Sequence, residues 1–176
     1  MFFSGFSLIG EGEIFSEYRI KNDVTVSAFS YGCIKLVENI VNGTFEEESS
    51  KKRIDTIQLF SPAFFNDKDE KFKRLQLMFF KKDSSTYCDN FLKNCGFNEV
   101  DKGKYFQMGT FEELQELLYY EWDEEKMERL KAKNIIIETY LGEDDRIINS
   151  QEALTFFRKF GEVYFIKRAN HNLSLN

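Results

Sequence analysis

One serine, one histidine and one carboxylate in this chain stand where they could together perform acyl transfer. Ser30, in Ala28-Phe29-Ser30-Tyr31-Gly32, directly follows the run Val24-Thr25-Val26-Ser27-Ala28-Phe29, where β-branched residues dominate, and precedes apolar residues at helical spacing, Ile34, Val37, Ile40 and Val41. A turn this tight from strand into helix strains the central residue, so its neighbours two positions away must be small. Ala28 and Gly32 meet that need, although glycine is the usual first residue and a small-x-Ser-x-small match arises often by chance. A serine hydroxyl is a weak nucleophile at neutral pH and requires a base within hydrogen-bonding reach. The chain has a single histidine, His171, in a loop just past the last predicted strand. A lone histidine in a polar tail is ordinarily a surface residue; its place relative to Ser30 makes it the expected base. A carboxylate must then hold the imidazole in one tautomer. Leu141-Gly142-Glu143-Asp144-Asp145 supplies three acidic residues after the preceding strand. Asp145, in a Gly-x-x-Asp turn, is the choice, with Asp144 as the alternative and a solvated acidic turn as the plain reading.

An acyl-transfer site also needs amide donors for the developing oxyanion. The amide of Tyr31, after the nucleophile, is the first expected donor. Phe6 is the second, because Gly5 before it lets the backbone turn the amide toward the site. Cys33, three residues after Ser30, reads as a packed helix residue rather than an alternative nucleophile. Met108, Trp122 and Met127 read as packing residues. No cysteine or histidine cluster and no glycine-rich phosphate loop occurs, so neither metal nor cofactor is expected.

These residues need elements to carry them. Phe2-Phe3 reads as a short buried strand, followed by a loop through Gly5, Gly10 and Gly12. Strands are expected at 24–29, 54–60, 134–141 and 163–166, and helices from Tyr31 to about Val41 and from Ser150 to about Phe160. Residues from about Ala63 to Lys133 break the alternation and read as helices with polar turns, among them the capping box Thr110-Phe111-Glu112-Glu113. The predicted architecture is therefore α/β. A mostly parallel sheet is covered on both faces, with one helical cap insertion of about 70 residues inside a single domain. In such sheets ligands bind at the carboxyl ends of the strands, where Ser30, Asp145 and His171 all fall.

Composition narrows the function classes. The 176 residues suffice for one core, and 42% apolar with 31% charged residues is ordinary for a soluble domain. Twenty phenylalanines against one tryptophan provide flat apolar surface for a core or a ligand channel. A net charge of −6 argues against general nucleic-acid binding. Cys33, Cys88 and Cys95 form no complete disulfide set, which fits free thiols in a reducing compartment. The apolar start lacks the basic residues of a signal peptide and no stretch approaches a membrane span, so a cytoplasmic protein is expected. Oligomeric state is not legible.

The compact start Phe2-Phe3-Ser4-Gly5-Phe6, the elbow at Ser30, the turn from Gly142 to Asp145 and the terminal Asn170-His171-Asn172-Leu173 together resemble the small α/β-hydrolases of the BioV type, pimeloyl-acyl-carrier-protein methyl ester esterases of biotin synthesis. The order serine, aspartate, histidine is also that of α/β-hydrolases. The resemblance covers most of the chain, and it implies a fold without the first two strands of a full-length hydrolase. The insertion matches in character rather than motif. It implies that Ser30 attacks a methyl ester at the far end of an acyl chain tethered to acyl carrier protein, releasing methanol. It also implies that the insertion docks the acidic carrier. Within Lys68 to Lys82 the spacing predicts an amphipathic helix, with Phe72, Leu75 and Phe79 on the apolar side and Lys71, Arg74 and Lys82 in a basic sector. Three readings stay open: this esterase, a carboxylesterase or thioesterase of other specificity, and a non-catalytic binding module.

Overall fold

The computed structural model describes residues 1–44 and 53–175. Five strands, β1 (Phe2–Phe3), β2 (Thr25–Phe29), β3 (Thr56–Phe60), β4 (Ile136–Gly142) and β5 (Glu162–Ile166), pair in sequence order, all parallel. Parallel neighbours need crossovers, and three of the four carry α-helices. Helix α1 (Tyr31–Asn42) follows β2 and ends at left-handed Gly43; α7 (Ser150–Phe157) lies between β4 and β5. Between β3 and β4 come five helices: α2 (Glu70–Lys82), α3 (Ser84–Cys95), α4 (Glu99–Tyr105), α5 (Phe111–Tyr119) and α6 (Glu124–Ala132). Four of these five N-caps are Asp or Asn, and the fifth, Thr110, forms the expected capping box with Glu113.

Side chains alternate across the sheet and divide the core in two. Val26, Ala28, Ile57, Leu59, Ile137 and Leu141 join α1, α6 and α7 in the larger cluster. Phe29, Phe60 and Tyr140 form the smaller one, over which Phe15 stacks on Phe60 at 4.7 Å and meets Phe29 at 4.9 Å. These aromatic residues occupy one register row, Phe29↔Phe60↔Tyr140↔Tyr164, so part of the phenylalanine content is a ladder across the sheet. The chain crossing this face between β1 and β2 has only the short 3-10 turn Glu11–Glu13, and buried Gln58 pins it in place. Gln58 donates to the Tyr18 carbonyl at 3.0 Å and accepts the Ile20 amide at 2.9 Å. The far ends of α3 and α4, with Leu92, Cys95 and Tyr105, complete the cover.

Helix α2 corrects one expectation. Its buried residues are Lys73 and Phe80, whereas Leu75 and Phe79 are exposed. The buried residues of this helix face its two neighbours, Phe80 packing edge-on against Tyr87 of α3 at 5.6 Å and Lys73 lying over the Tyr119 ring of α5 at 5.3 Å. Phe72 and Phe79 turn to a cavity, and Leu75 alone of the predicted three faces away from both.

Candidate active site

Ser30 occupies the turn between β2 and α1 with φ 50° and ψ −115°, a conformation rarely adopted by a residue other than glycine. Backbone bonds hold it there: its amide donates to the Phe60 carbonyl at 2.9 Å, and its carbonyl accepts from Cys33 at 3.1 Å and Ala63 at 3.2 Å. Gly32 has to be glycine, since a Cβ there would lie 2.3 Å from the Phe3 carbonyl oxygen. Fully buried Ala28 does the work of a small residue on the other side.

The structure brings Ser30, His171 and Asp145 together from three separate loops at the carboxyl ends of β2, β5 and β4. His171 Nε2 lies 3.0 Å from Ser30 Oγ, and Nδ1 lies 2.6 Å from Asp145 Oδ2. Asp145 Oδ1 accepts the amides of Ile147 at 2.7 Å and Ile148 at 3.1 Å, which fixes the carboxylate while its other oxygen faces the imidazole. Asp144 instead points outward at an exposed position, its amide donating to the Ala169 carbonyl. The polar tail folds inward: His171 is fully buried, with Phe29 packed against its ring at 5.1 Å. Gly142 makes that approach possible, because a Cβ there would meet the Asn170 carbonyl oxygen at 2.3 Å. A nucleophile, base and orienting acid joined in this way can carry out acyl transfer.

The turn Phe3-Ser4-Gly5-Phe6 lies beside the elbow, as the close approach of Gly32 to the Phe3 and Ser4 carbonyls requires. Tyr31 sits at the first position of α1, where an amide has no acceptor inside its own helix. The Tyr31 hydroxyl donates to Glu116 on α5 at 2.5 Å, which ties the elbow to the helical segment, and burial pushes its pKa up. Cys33 is fully buried behind the elbow, where burial pushes its thiol up, and it packs rather than reacts.

A cavity of about 660 Å³ opens on the side of the helical segment, one layer of side chains away from these residues. Phe65, Phe72, Phe79, Phe91 and the α5 leucines 114, 117 and 118 form its apolar wall. Asn90, Asn94 and Thr86 on α3 supply a polar strip, and Arg146 and Lys82 bring positive charge. Ser30 itself is 2% exposed and does not line it. Contact is close nonetheless: Phe91 meets the Phe6 ring edge-on at 5.6 Å, and Arg146 and Ile147 directly follow Asp145. Of the predicted basic sector, Lys82 reaches this cavity, Lys71 is exposed on α2, and Arg74 is engaged by Glu70 at 2.6 Å. The α3 residues escaped sequence reading, although Tyr87 and Phe91 at a spacing of four were a usable signal. Among the described residues no group of three or more His, Cys, Asp or Glu side chains could hold a metal ion, and no helix is long and apolar enough to cross a membrane.

No protein-family model matches the chain, and no curated protein matches it. Solved structures do. A bromoperoxidase from Bacillus anthracis aligns over 92% of this chain and 64% of its own length, with a TM-score of 0.63 at 14% identity. An esterase from Exiguobacterium antarcticum aligns over 91% and 63%, with a TM-score of 0.58 at 11% identity. BioG from Haemophilus influenzae aligns over 98% of this chain and 87% of its own, with a TM-score of 0.56 at 12% identity. The chain thus spans less than two thirds of the length of the first two. With a parallel sheet, helices on its flanks and a strained serine between strand and helix, this chain has the α/β-hydrolase fold.

Proposed function

We propose that the protein is a serine carboxylic-ester hydrolase, with Ser30 as nucleophile, His171 as base and Asp145 as the acid that orients it. The observation that carries this reading is the unbroken bond chain from Asp145 through His171 to a serine held at φ 50°. Ser30 Oγ attacks the ester carbonyl as His171 Nε2 takes its proton. The amides of Phe6 and Tyr31 receive the oxyanion, which is where such sites gain most of their acceleration. The protonated imidazole then gives its proton to the leaving alcohol, and water, activated by the same histidine, releases the acid.

The substrate we propose is the methyl ester of pimeloyl-acyl-carrier protein, cleaved to methanol and pimeloyl-acyl-carrier protein in biotin synthesis. The resemblance of the start, elbow, acid turn and histidine loop to BioV-type esterases supports it, as does the likeness to BioG over nearly the full chain. The phenylalanine- and leucine-lined cavity suits an apolar acyl chain, and Lys82 at its lining, with Lys71 on the same helix, suits an acidic carrier. The insertion 63–133 acts in this reading as a cap over the site of a single domain. The test is methanol release from the carrier-linked methyl ester by wild-type protein and by Ser30→Ala. Ser30-dependent release supports the reading; hydrolysis of small esters or thioesters but not of the carrier-linked ester moves the protein to another specificity. Absence of both hydrolysis and fluorophosphonate labelling at Ser30 leaves a non-catalytic module.

A further inference from the structure

Glu11 places a carboxylate where water cannot reach it. It opens the 3-10 turn between β1 and β2 and is 0% exposed. Burying such a group is strongly penalised unless its oxygens are satisfied. Oε1 accepts the Gly5 amide at 2.7 Å, and Oε2 has no well-formed hydrogen bond among the described residues, with the Ser4 hydroxyl and the amide of Glu11 itself as the carboxylate's other nearby donors. Burial pushes the carboxyl above its ordinary range, and the Gly5 amide, the amide of Glu11 itself and the Ser4 hydroxyl oppose that rise. Packing alone does not call for a carboxylate here, since an apolar side chain of similar length would fill the space without this penalty.

What the bond does is restrain a glycine. Gly5 is the loosest residue in the turn beside Ser30, and the peptide on its far side carries the Phe6 N–H. That peptide is planar, so fixing the Gly5 carbonyl fixes the Phe6 N–H in the opposite direction. The Gly5 carbonyl accepts the Leu8 amide at 3.3 Å, and Glu11 fixes the peptide on the near side. The two bonds therefore bracket both backbone torsions of Gly5. A second clip closes the same loop, with the Gly10 amide donating to Ser4 Oγ at 3.1 Å.

We propose that Glu11 is a positioning residue, which aims the Phe6 amide at the oxyanion by holding the Gly5 amide. The proposal rests on the reading of Ser30 as an esterase nucleophile with Phe6 as an oxyanion donor. An acceptor lost at Glu11 should weaken the transition state and leave substrate binding alone. Glu11→Met keeps the volume and removes the acceptor: kcat on a small soluble ester should fall about 10- to 100-fold, with KM within about twofold. Glu11→Gln keeps an acceptor for Gly5 and should restore most of that loss. A folded Glu11→Met protein with unchanged kcat, a loss confined to KM, or a Glu11→Gln protein as impaired as Glu11→Met would overturn the proposal. Should neither variant fold, amide spectra of the wild-type protein decide. The Gly5 amide must resist exchange before and after Ser30 is phosphonylated, and the Phe6 amide must shift as it takes up the phosphoryl oxygen. A freely exchanging Gly5 or an unresponsive Phe6 overturns it. A wild-type protein that neither hydrolyses esters nor labels at Ser30 overturns the parent reading, and this proposal with it. Ser30-dependent hydrolysis with a fully active Glu11→Met protein overturns this proposal alone.

Discussion

Around Ser30 the end of the sheet and the helical segment between β3 and β4 are held by different forces. On the sheet side the contacts are backbone bonds and glycine approaches: Ser30 to Phe60, Ser61 to Tyr140, Gly32 on the Phe3 carbonyl, Gly142 on the Asn170 carbonyl. The helical segment shares that kind of anchor at the ends of α3 and α4, where Asn172 donates to the Cys95 carbonyl, Ile9 to the Tyr105 carbonyl and Gln107 to the Ser7 carbonyl. Helices α5 and α6 meet α1 through apolar packing and partly exposed side-chain pairs, such as Lys35 with Glu113 and Lys126 with Glu38. Exposed pairs of that kind contribute only about 0–1 kcal/mol each. On the proposed function substrate has to reach a serine that is 2% exposed, so some part of the enclosure has to give. The comparison assigns rigidity to the sheet end and the α3 and α4 ends bonded to it, and adjustment to α2 and α5, which line the cavity.

The largest effects should follow from the atoms of the bond chain. Ser30→Ala and His171→Ala should each lower turnover by at least about a thousandfold while leaving the thermal transition in place, and the double variant should be little worse, because such groups act as a unit. Turnover numbers with thermal melts of the same preparations check this. Near-normal activity in either folded single variant would end the assignment.

Next in size is the acid. Asp145→Asn should cost roughly 10³- to 10⁴-fold in kcat, since the imidazole then loses the partner that sets its tautomer. Asp144→Asn should stay within about threefold, its exposed side chain being outside the bond chain. The opposite ranking would place the acid at Asp144 and contradict the observed geometry.

How much of this was legible beforehand follows from the kind of signal each residue leaves. Ser30 was readable because β-branched residues, two small neighbours and a helical apolar pattern coincide around it. Asp145 and His171 were readable from their places after strands. Glu11 was not, because nothing in an acidic residue between Gly10 and Gly12 says that the chain will fold over it. Strand positions were readable from apolar runs, and their ends shifted by one or two residues because pairing rather than composition decides them: β4 begins at Ile136, where the ladder with Thr56 starts, rather than at Asn134. The apolar side of α2 was read in part: Phe72 and Phe79 line the cavity as an apolar channel side would, but Phe80 was missed and Leu75 is exposed, because the packing of α2 against both α3 and α5 decides which residues are buried. An apolar channel along α2 was expected, but its other walls were not legible, since segments far apart in sequence supply them.

A smaller effect separates the two regions by stability. Gly32→Ala forces a methyl group onto the Phe3 carbonyl, a rigid backbone atom, and should cost about 1–3 kcal/mol, or roughly 3–10 °C in Tm for a chain of this size. Leu75→Gln, on the exposed side of α2, should remain within about 0.5 kcal/mol. Calorimetric scans of the two variants measure the contrast directly, and equal losses would remove the distinction between a rigid end and an adjustable one.

The smallest expected effect tests what the helical segment does for specificity. Lys71, Arg74 and Lys82 lie on α2, but the structure makes them unequal. Arg74 is held by Glu70, which also accepts the Tyr119 hydroxyl at 2.8 Å, so much of its charge is met within the protein. Lys82 lines the cavity, whose wall includes Arg146 and Ile147 beside Asp145, and Lys71 is exposed on the same helix. Lysines of that kind act on an acidic partner mainly through association rate, and salt screens them beyond about 10 Å at 0.1 M. Lys82→Glu should therefore reduce kcat/KM for a carrier-linked ester by about three- to tenfold at low salt. Lys71→Glu should reduce it less, and Arg74→Glu should act partly by releasing Glu70 and Tyr119. All three variants should hydrolyse a small soluble ester as wild type does, and added salt should shrink the difference between variant and wild type. An equal loss on both esters would mean that α2 supports the rigid end rather than the carrier. No loss on either, at any salt concentration, would place the carrier surface on another face of the molecule.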